Sequence, residues 1–204
     1  MSTLSNFGIP LGPGQRVGIL MPKVKNRFSV TVMGFGIISA VTAFTQQVIT
    51  VARPNVSFEP QAVHSYNSVA YYAGKATWET IAVTVRDDVT NSIAALCGAQ
   101  TMRQMNFFDQ SVPVSSSSFK FTMQVDTMDG SNSVGNVIGL EAPGVLESWV
   151  YEGCFLSQVN YESFDYSSSD AMTIEMTIRF DNATQLGGLM PVPSPFTYTT
   201  PRIN

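Results

Sequence analysis

The sequence predicts a mainly β protein, an antiparallel β-barrel or sandwich flanked by one α-helix. Two patterns predict it. Apolar and polar residues alternate with a period of two in several separate segments, as they do in half-buried strands. Only one stretch repeats its apolar residues at helical spacing. A third observation concerns the surface: Asp, Glu, Lys and Arg make up 13% of the 204 residues, about half the usual share of roughly 25%. A surface poor in charge and rich in Ser, Thr, Asn and Gln fits a subunit that faces other subunits, although a neutral β protein would share it.

Residues 1–25 read as an N-terminal arm. Gly8, Pro10, Gly12, Pro13, Gly14 and Pro22 interrupt regular structure, with Leu4, Phe7, Ile9 and Leu11 scattered among them. An apolar arm needs cover, so Phe7 and Ile9 are candidate contacts to a neighbouring subunit; a loose terminus is the alternative. The body is expected over residues 26–182. Phe28, Val30 and Val32 alternate with Arg27, Ser29, Thr31 and Met33, a half-buried strand. A second strand is expected over 43–52, stopped by Arg53-Pro54 because proline lacks the N–H that a ladder needs. Residues 28–52 carry no charge, but eight Ser, Thr and Gln side chains and the Gly34-Phe35-Gly36 break argue against a membrane span.

Two short strands, 56–61 and 69–73, are expected on either side of a turn at 64–68, within a hairpin 56–78 that projects from the body. Residues 77–86 alternate: Ile81, Val83 and Val85 point in, and Thr80, Thr84 and Arg86 point out. The helix is expected over 88–104. Asp87 and Asp88 stand where carboxylates accept orphan backbone N–H groups and oppose the positive end of the dipole. Val89, Ile93, Leu96 and Cys97 form its apolar stripe, and the helix should continue past Gly98 to Gln104. After a linker at 115–118 comes a strand carrying Phe119, Phe121, Met123 and Val125. Asp129-Gly130 signals a turn, and 130–144 reads as a loop. A strand pair, 146–152 and 155–161, follows. The clearest strand is the last: Met172, Ile174, Met176, Ile178 and Phe180 alternate with Thr173, Glu175, Thr177, Arg179 and Asp181. Residues 183–204, with Pro191, Pro193, Pro195 and Pro201, read as a proline-rich tail. The count is about eight strands.

Convergent reactive groups are hard to find. His64 is the single histidine and falls in a turn, so no multi-His metal site or Cys/His ligand spacing exists. No nucleophile is placed for His64 to activate. The Asp87-Asp88 pair is explained by the helix, and Glu162 with Asp165 by a hairpin end. Gly34-Phe35-Gly36 lacks the third glycine and following helix of a dinucleotide fingerprint. Cys97 and Cys154 are the only cysteines, and both lie in apolar surroundings, where they read as small buried hydrophobes. The expectation is a protein that is not an enzyme and takes no cofactor or metal.

Charge is unevenly placed. Residues 1–120 hold nine Lys and Arg against five Asp and Glu; residues 121–204 hold two against ten. Such halves can steer copies of one chain head to tail. The basic run Arg16, Lys23, Lys25 and Arg27 is short and reads as a solvated segment rather than a nucleic-acid groove. Tyr66, Tyr71 and Tyr72 could form a stacking platform, but with no basic groove beside them an interface or core role fits better.

Two stretches carry a family likeness. One runs Ala73-Gly-Lys-Ala-Thr-Trp-Glu-Thr-Ile-Ala-Val-Thr-Val-Arg-Asp-Asp-Val-Thr90 into the helix. The other runs from Trp149 through Gly153-Cys-Phe155 and Phe164-Asp-Tyr-Ser-Ser168 to Met172-Thr-Ile-Glu-Met-Thr-Ile-Arg-Phe-Asp181. In this order they resemble the tail tube proteins of contractile-tailed bacteriophages, a family related to type VI secretion tubes. Ile81-Ala-Val-Thr-Val85 departs slightly from the family strand. The resemblance implies hexameric rings stacked into an inner tail tube through which phage DNA passes. It implies a sheath protein around the tube, baseplate and tail terminator proteins at its ends, and a tape measure protein or DNA in the lumen. Location in the virion, after assembly in the bacterial cytoplasm, follows. A secretion or bacteriocin tube, or a carbohydrate-binding or baseplate β-module, remains an alternative.

On that reading, Val63, His64, Tyr66, Asn67, Tyr71 and Tyr72 on the hairpin are candidate inter-subunit contacts, with Phe7 and Ile9 on the arm. A wall that passes DNA should repel phosphate, which duplex DNA carries at about one charge per 1.7 Å. Asp126, Asp129, Glu147 and Glu152 are the candidate lumen-facing acids.

Overall fold

The computed structural model describes residues 23–36, 41–128 and 144–187. The strands are β1 (Phe28–Met33), β2 (Val41–Ala43), β3 (Val48–Val51), β4 (Val56–Ser65), β5 (Ser68–Trp78), β6 (Ile81–Arg86), β7 (Phe121–Met128), β8 (Val145–Tyr161), β9 (Thr173–Arg179) and β10 (Asn182–Gly187). The helix α1 spans Ser92–Gln104. All strand pairs are antiparallel.

One hydrogen-bonded path runs β2-β1-β7-β8-β9-β6-β3. Its two ends, β2 and β3, are consecutive in sequence. The turn between them is tied to both sides: Phe44 N–H donates to Val30 O at 3.0 Å, and Arg86 N–H to Gln47 O at 2.7 Å. The path therefore curls back on itself into a barrel around one core. Alternation supplies that core, because successive residues of a strand face opposite sides. Val30, Val32, Met123, Val125, Ile81, Val83, Val85, Ile174, Met176 and Ile178 all point inward and are buried. Phe35 packs edge-on against Phe44 and Phe121, with ring centroids 5.3 and 5.0 Å away.

The structure changes several expected boundaries. The strand pair 146–152 and 155–161 is one strand, β8, of 17 residues. It bends at Gly153, where φ is +67°. Up to the bend it pairs with β7 and β10, the β7 ladder ending at Cys154, and from Phe155 it pairs with β9. β8 thus passes from one side of the barrel to the other, and the glycine marks a bend rather than a turn. The strand expected at 43–52 is split by the turn at residues 44–47. The hairpin strands reach further than expected, leaving only Tyr66 and Asn67 between them, and Trp78 ends β5 rather than beginning β6. Asn182–Gly187, counted largely within the tail, forms β10 against β8.

The helix starts at Ser92, four residues later than its apolar spacing predicts. Asp88 accepts the Ser92 N–H at 3.3 Å and its hydroxyl at 3.0 Å, as a carboxylate there should, but Asn91 adopts a left-handed φ of 55° and fixes the start. Val89 is consequently exposed and leaves the stripe, while Ile93 and Cys97 are buried. As expected, the helix runs through Gly98 to Gln104. Gln104 binds β8 through both amide atoms: its Nε2 donates to Leu156 O and its Oε1 accepts the Leu156 N–H, each at 2.9 Å. That pair satisfies the backbone where the β8–β9 register slips between Leu156 and Gln158. Cys97 and Cys154 are buried and unpaired with each other.

Candidate functional site

β4 and β5 form a two-stranded sheet of their own, outside the barrel path. An isolated hairpin is marginal in water, so its root matters. Asn55 O accepts the Glu79 N–H at 3.0 Å, and Asn55 Nδ2 donates to Glu79 Oε2 at 3.1 Å. The Trp78 ring lies 5.7 Å from Phe180, which in turn packs edge-on against Tyr151. Beyond this anchor nearly every hairpin residue is exposed.

Register divides the hairpin into two unlike faces. Opposed residues share a face, and the pairs Val56–Trp78, Phe58–Ala76, Pro60–Ala73, Ala62–Tyr71 and His64–Val69 lie together. This face is apolar apart from His64 and continues from the anchored Trp78. The other face carries Ser57–Thr77, Gln61–Tyr72, Val63–Ala70 and Ser65–Ser68 and is largely polar. The candidate contacts therefore separate: Tyr71 and His64 lie on the apolar face, Tyr72 and Val63 on the polar one. Tyr66 and Asn67 form the tip, where Tyr66 is fully exposed with φ 43°. A bulge between Phe58 and Pro60 brings Gly74 so close to Glu59 O that a Cβ would sit 2.6 Å from it. Phe7 and Ile9 lie outside the described residues.

The candidate lumen acids do not form one set. Glu147 is buried and works inside the subunit. Its Oε2 accepts from Lys23 Nζ and, at 3.1 Å, from Arg53 Nη2; its Oε1 accepts from Trp149 Nε1 at 2.7 Å and Gln185 Nε2 at 2.9 Å. The Lys23 hydrogen bond first, then those from Trp149 and the charge of Arg53, hold its carboxyl below the usual range against the opposing effect of burial. These partners balance its charge within the subunit, and they lie too far off in sequence for local pattern to reveal them. Asp126 is half-buried and accepts from Ser148 Oγ at 2.5 Å and Gln124 Nε2 at 2.9 Å. Glu152 is exposed. Asp129 lies outside the described residues.

Two further surfaces escaped the sequence. Lys23, Lys25, Arg27 and Arg53 rim a groove of about 580 Å³ whose floor includes Phe28, Ile49, Val51 and Val125. The first three cations belong to the run that reads as a solvated segment; only the fold brings Arg53 to them. After the last residue of β8, Tyr161, the loop 162–172 leads to β9 and holds Phe164 and Tyr166 almost wholly in solvent. A local signal existed there, an Asp between two aromatics followed by serines, which is the composition of an Asx-turn.

Burial pushes the thiols of Cys97 and Cys154 up to about 12, which makes them poor nucleophiles. Among the described residues no group of three or more His, Cys, Asp or Glu is gathered to hold a metal ion, and no helix is long and apolar enough to cross a membrane.

No protein-family model matches the sequence, and no curated protein matches it. Solved structures do. A chain in the cryo-EM structure of the six-fold symmetrised anti-feeding prophage baseplate aligns with TM-score 0.57 and 12% identity, over 83% of this chain and 98% of that one. A chain in the sheath–tube complex of an extracellular contractile injection system, PVC, in its extended state gives 0.55 and 17%, over 82% and 93%. A chain in the anti-feeding prophage tube-terminating cap gives 0.57 and 15%, over 85% and 97%. In fold, the barrel with its flanking helix is that of chains from the anti-feeding prophage baseplate and tube-terminating cap and from the sheath–tube complex of an extracellular contractile injection system.

Proposed function

We propose that this chain is a structural subunit, not an enzyme, that polymerises into the inner tube of a contractile particle as stacked hexameric rings. The observation that carries the reading is the hairpin β4–β5. It extends outside the barrel, is anchored at its root, and bears a continuous apolar face with Phe58, Tyr71 and Val69 in solvent. Exposed apolar surface of this kind marks a contact surface. Heterologous contacts between identical subunits generate rings when the rotation closes and filaments when it does not. The six-fold symmetry, sheath–tube and cap contexts of the structural neighbours support hexamers, a sheath around the tube and a terminator at its end.

In a phage tail the tube would pass DNA. Asp126 and Glu152 then remain as candidate lumen acids, since Glu147 is neutralised inside the subunit. One neighbour comes from an extracellular contractile injection system, which favours as a second reading an injection particle of that kind rather than a phage. Electron microscopy of the purified chain tests the common part: rings or tubes are expected. Deleting residues 62–69 should leave folded, soluble subunits that no longer polymerise, and normal tubes from that deletion would overturn the role given to the hairpin.

A further inference from the structure

The cation-rimmed groove and the acidic aromatic loop are complementary, and one copy of the chain cannot join them. Phe28 and Thr127 line the groove and pair with each other, and Thr127 pairs with Glu147 near the start of β8, whereas the loop follows Tyr161 at the end of β8. Groove and loop therefore lie at opposite ends of the barrel, the arrangement a repeating head-to-tail contact requires.

Their chemistry matches. Around an apolar floor, Lys23, Lys25 and Arg53 bring three positive charges, and Glu147 is the one carboxylate that Lys23 and Arg53 share. Positive charge is thus left over around a cavity wide enough for an aromatic side chain. The loop supplies Glu162, Asp165 and Asp170 and contains no Lys, Arg or His between residues 162 and 172. Phe164 and Tyr166 flank Asp165 and are 89% and 112% exposed, so neither packs on the described part of its own subunit. The loop is also fixed in shape. Asp165 Oδ1 accepts the Ser167 N–H and hydroxyl at 2.8 Å, and Glu162 Oε2 accepts the Thr173 N–H at 2.9 Å. An ordered loop loses little entropy on docking. In the groove, Ile49 is the extra residue of a bulge between Val48 and Thr50 and is exposed at its floor.

We infer that Phe164 on the acidic loop of one copy seats in the Lys25–Arg53 groove of the next copy, with Asp165 and Asp170 facing the cationic rim. This rests on the tube-subunit reading and adds to it a second contact, separate from the hairpin.

Cross-linking tests it on the full chain. Native Cys97 and Cys154 are buried, so thiols introduced at exposed sites can be oxidised selectively. Phe164→Cys combined with Ile49→Cys, oxidised with copper–phenanthroline, should give a ladder of dimer, trimer and higher bands on a non-reducing gel. Either substitution alone should give none, because a heterologous contact never brings like residues together. In parallel, Asp165→Lys or Lys25→Glu should each raise the concentration needed for half-assembly on the order of tenfold, and combining them should recover most of the loss. If the unmodified chain assembles but the double-cysteine protein gives no ladder, the docking is wrong while the tube reading stands. Dimers from Phe164→Cys alone would also overturn it. An unmodified chain that stays monomeric at high concentration removes both readings.

Discussion

Gly153 and Asp181 share one position at the bend of β8. The glycine has φ +67°, and the Asp181 carboxylate occupies the space a Cβ would fill. Asp181 is held there from both sides: its N–H donates to Glu152 O at 3.0 Å, and its Oδ2 accepts from Lys120 Nζ at 2.5 Å. The bend that lets one strand serve both sides of the barrel thus depends on a residue without a side chain.

Gly153→Ala should therefore be among the most damaging single-methyl additions in the chain. A left-handed backbone costs an alanine about 1–3 kcal/mol, and displacing the carboxylate adds to it. Urea unfolding should show the loss as a lower midpoint at unchanged slope. Asp181→Gly should relieve the collision but not the backbone term, so Gly153→Ala should cost less in that background. An equal cost in both backgrounds would mean that the carboxylate is no obstacle.

Glu147 predicts a pH dependence. Its folded-state pKa is depressed, so the stability it provides is present above its unfolded value, about 4.3, and is lost as pH falls through the lower folded value. Lys23 and Arg53 are more than half exposed, so the solvent screens their share, and Glu147→Gln should cost about 1–2 kcal/mol at neutral pH. Denaturant midpoints measured from about pH 2 to 6 should fall less steeply toward acid in the variant than in the parent chain. Parallel curves would remove the assignment.

Gln100 is buried at 0% exposure and bridges three segments. Its Oε1 accepts the Gly36 N–H at 3.0 Å, and its Nε2 donates to Phe119 O at 2.6 Å. Gln100→Leu keeps the volume but orphans both backbone groups. A loss of about 1–3 kcal/mol is expected, with faster amide exchange at Gly36 as its local signature. Gln100→Glu should be damaging for a different reason, since an ionised carboxylate repels the Phe119 carbonyl.

What the sequence made legible was whatever period alone determines. β9 could be read directly because Ile174, Met176 and Ile178 alternate without interruption, and β6 because Ile81, Val83 and Val85 do. β8 could not, because Glu152-Gly153 breaks the alternation as a hairpin turn would, while the backbone only bends there. Val89 fits the helical spacing, yet the left-handed Asn91 starts the helix after it. The site divided in the same way. The hairpin was visible as a long stretch with little charge, but assigning Tyr71 and Tyr72 to opposite faces needed the register. Glu147 looked like a surface acid because Lys23 and Arg53 lie more than 90 residues away in sequence.

That register makes the last prediction. Tyr71 pairs with Ala62 on the apolar face that runs from Trp78, whereas Tyr72 pairs with Gln61 on the polar face. Both side chains are well exposed, 72% and 58%, and neither contributes to the core, so replacing either should leave the barrel's unfolding midpoint unchanged. Their effects on association should differ. Tyr71→Asp would place a charge in the middle of a desolvated contact and should raise the concentration for half-assembly by about thirtyfold or more, the size of an interface hot spot. Tyr72→Asp sits where polar neighbours already tolerate water and should shift assembly by no more than a fewfold. Sedimentation of the two variants side by side measures the contrast. If Tyr72→Asp is the more damaging, the polar face meets the neighbouring subunit, and the apolar face must find its cover elsewhere.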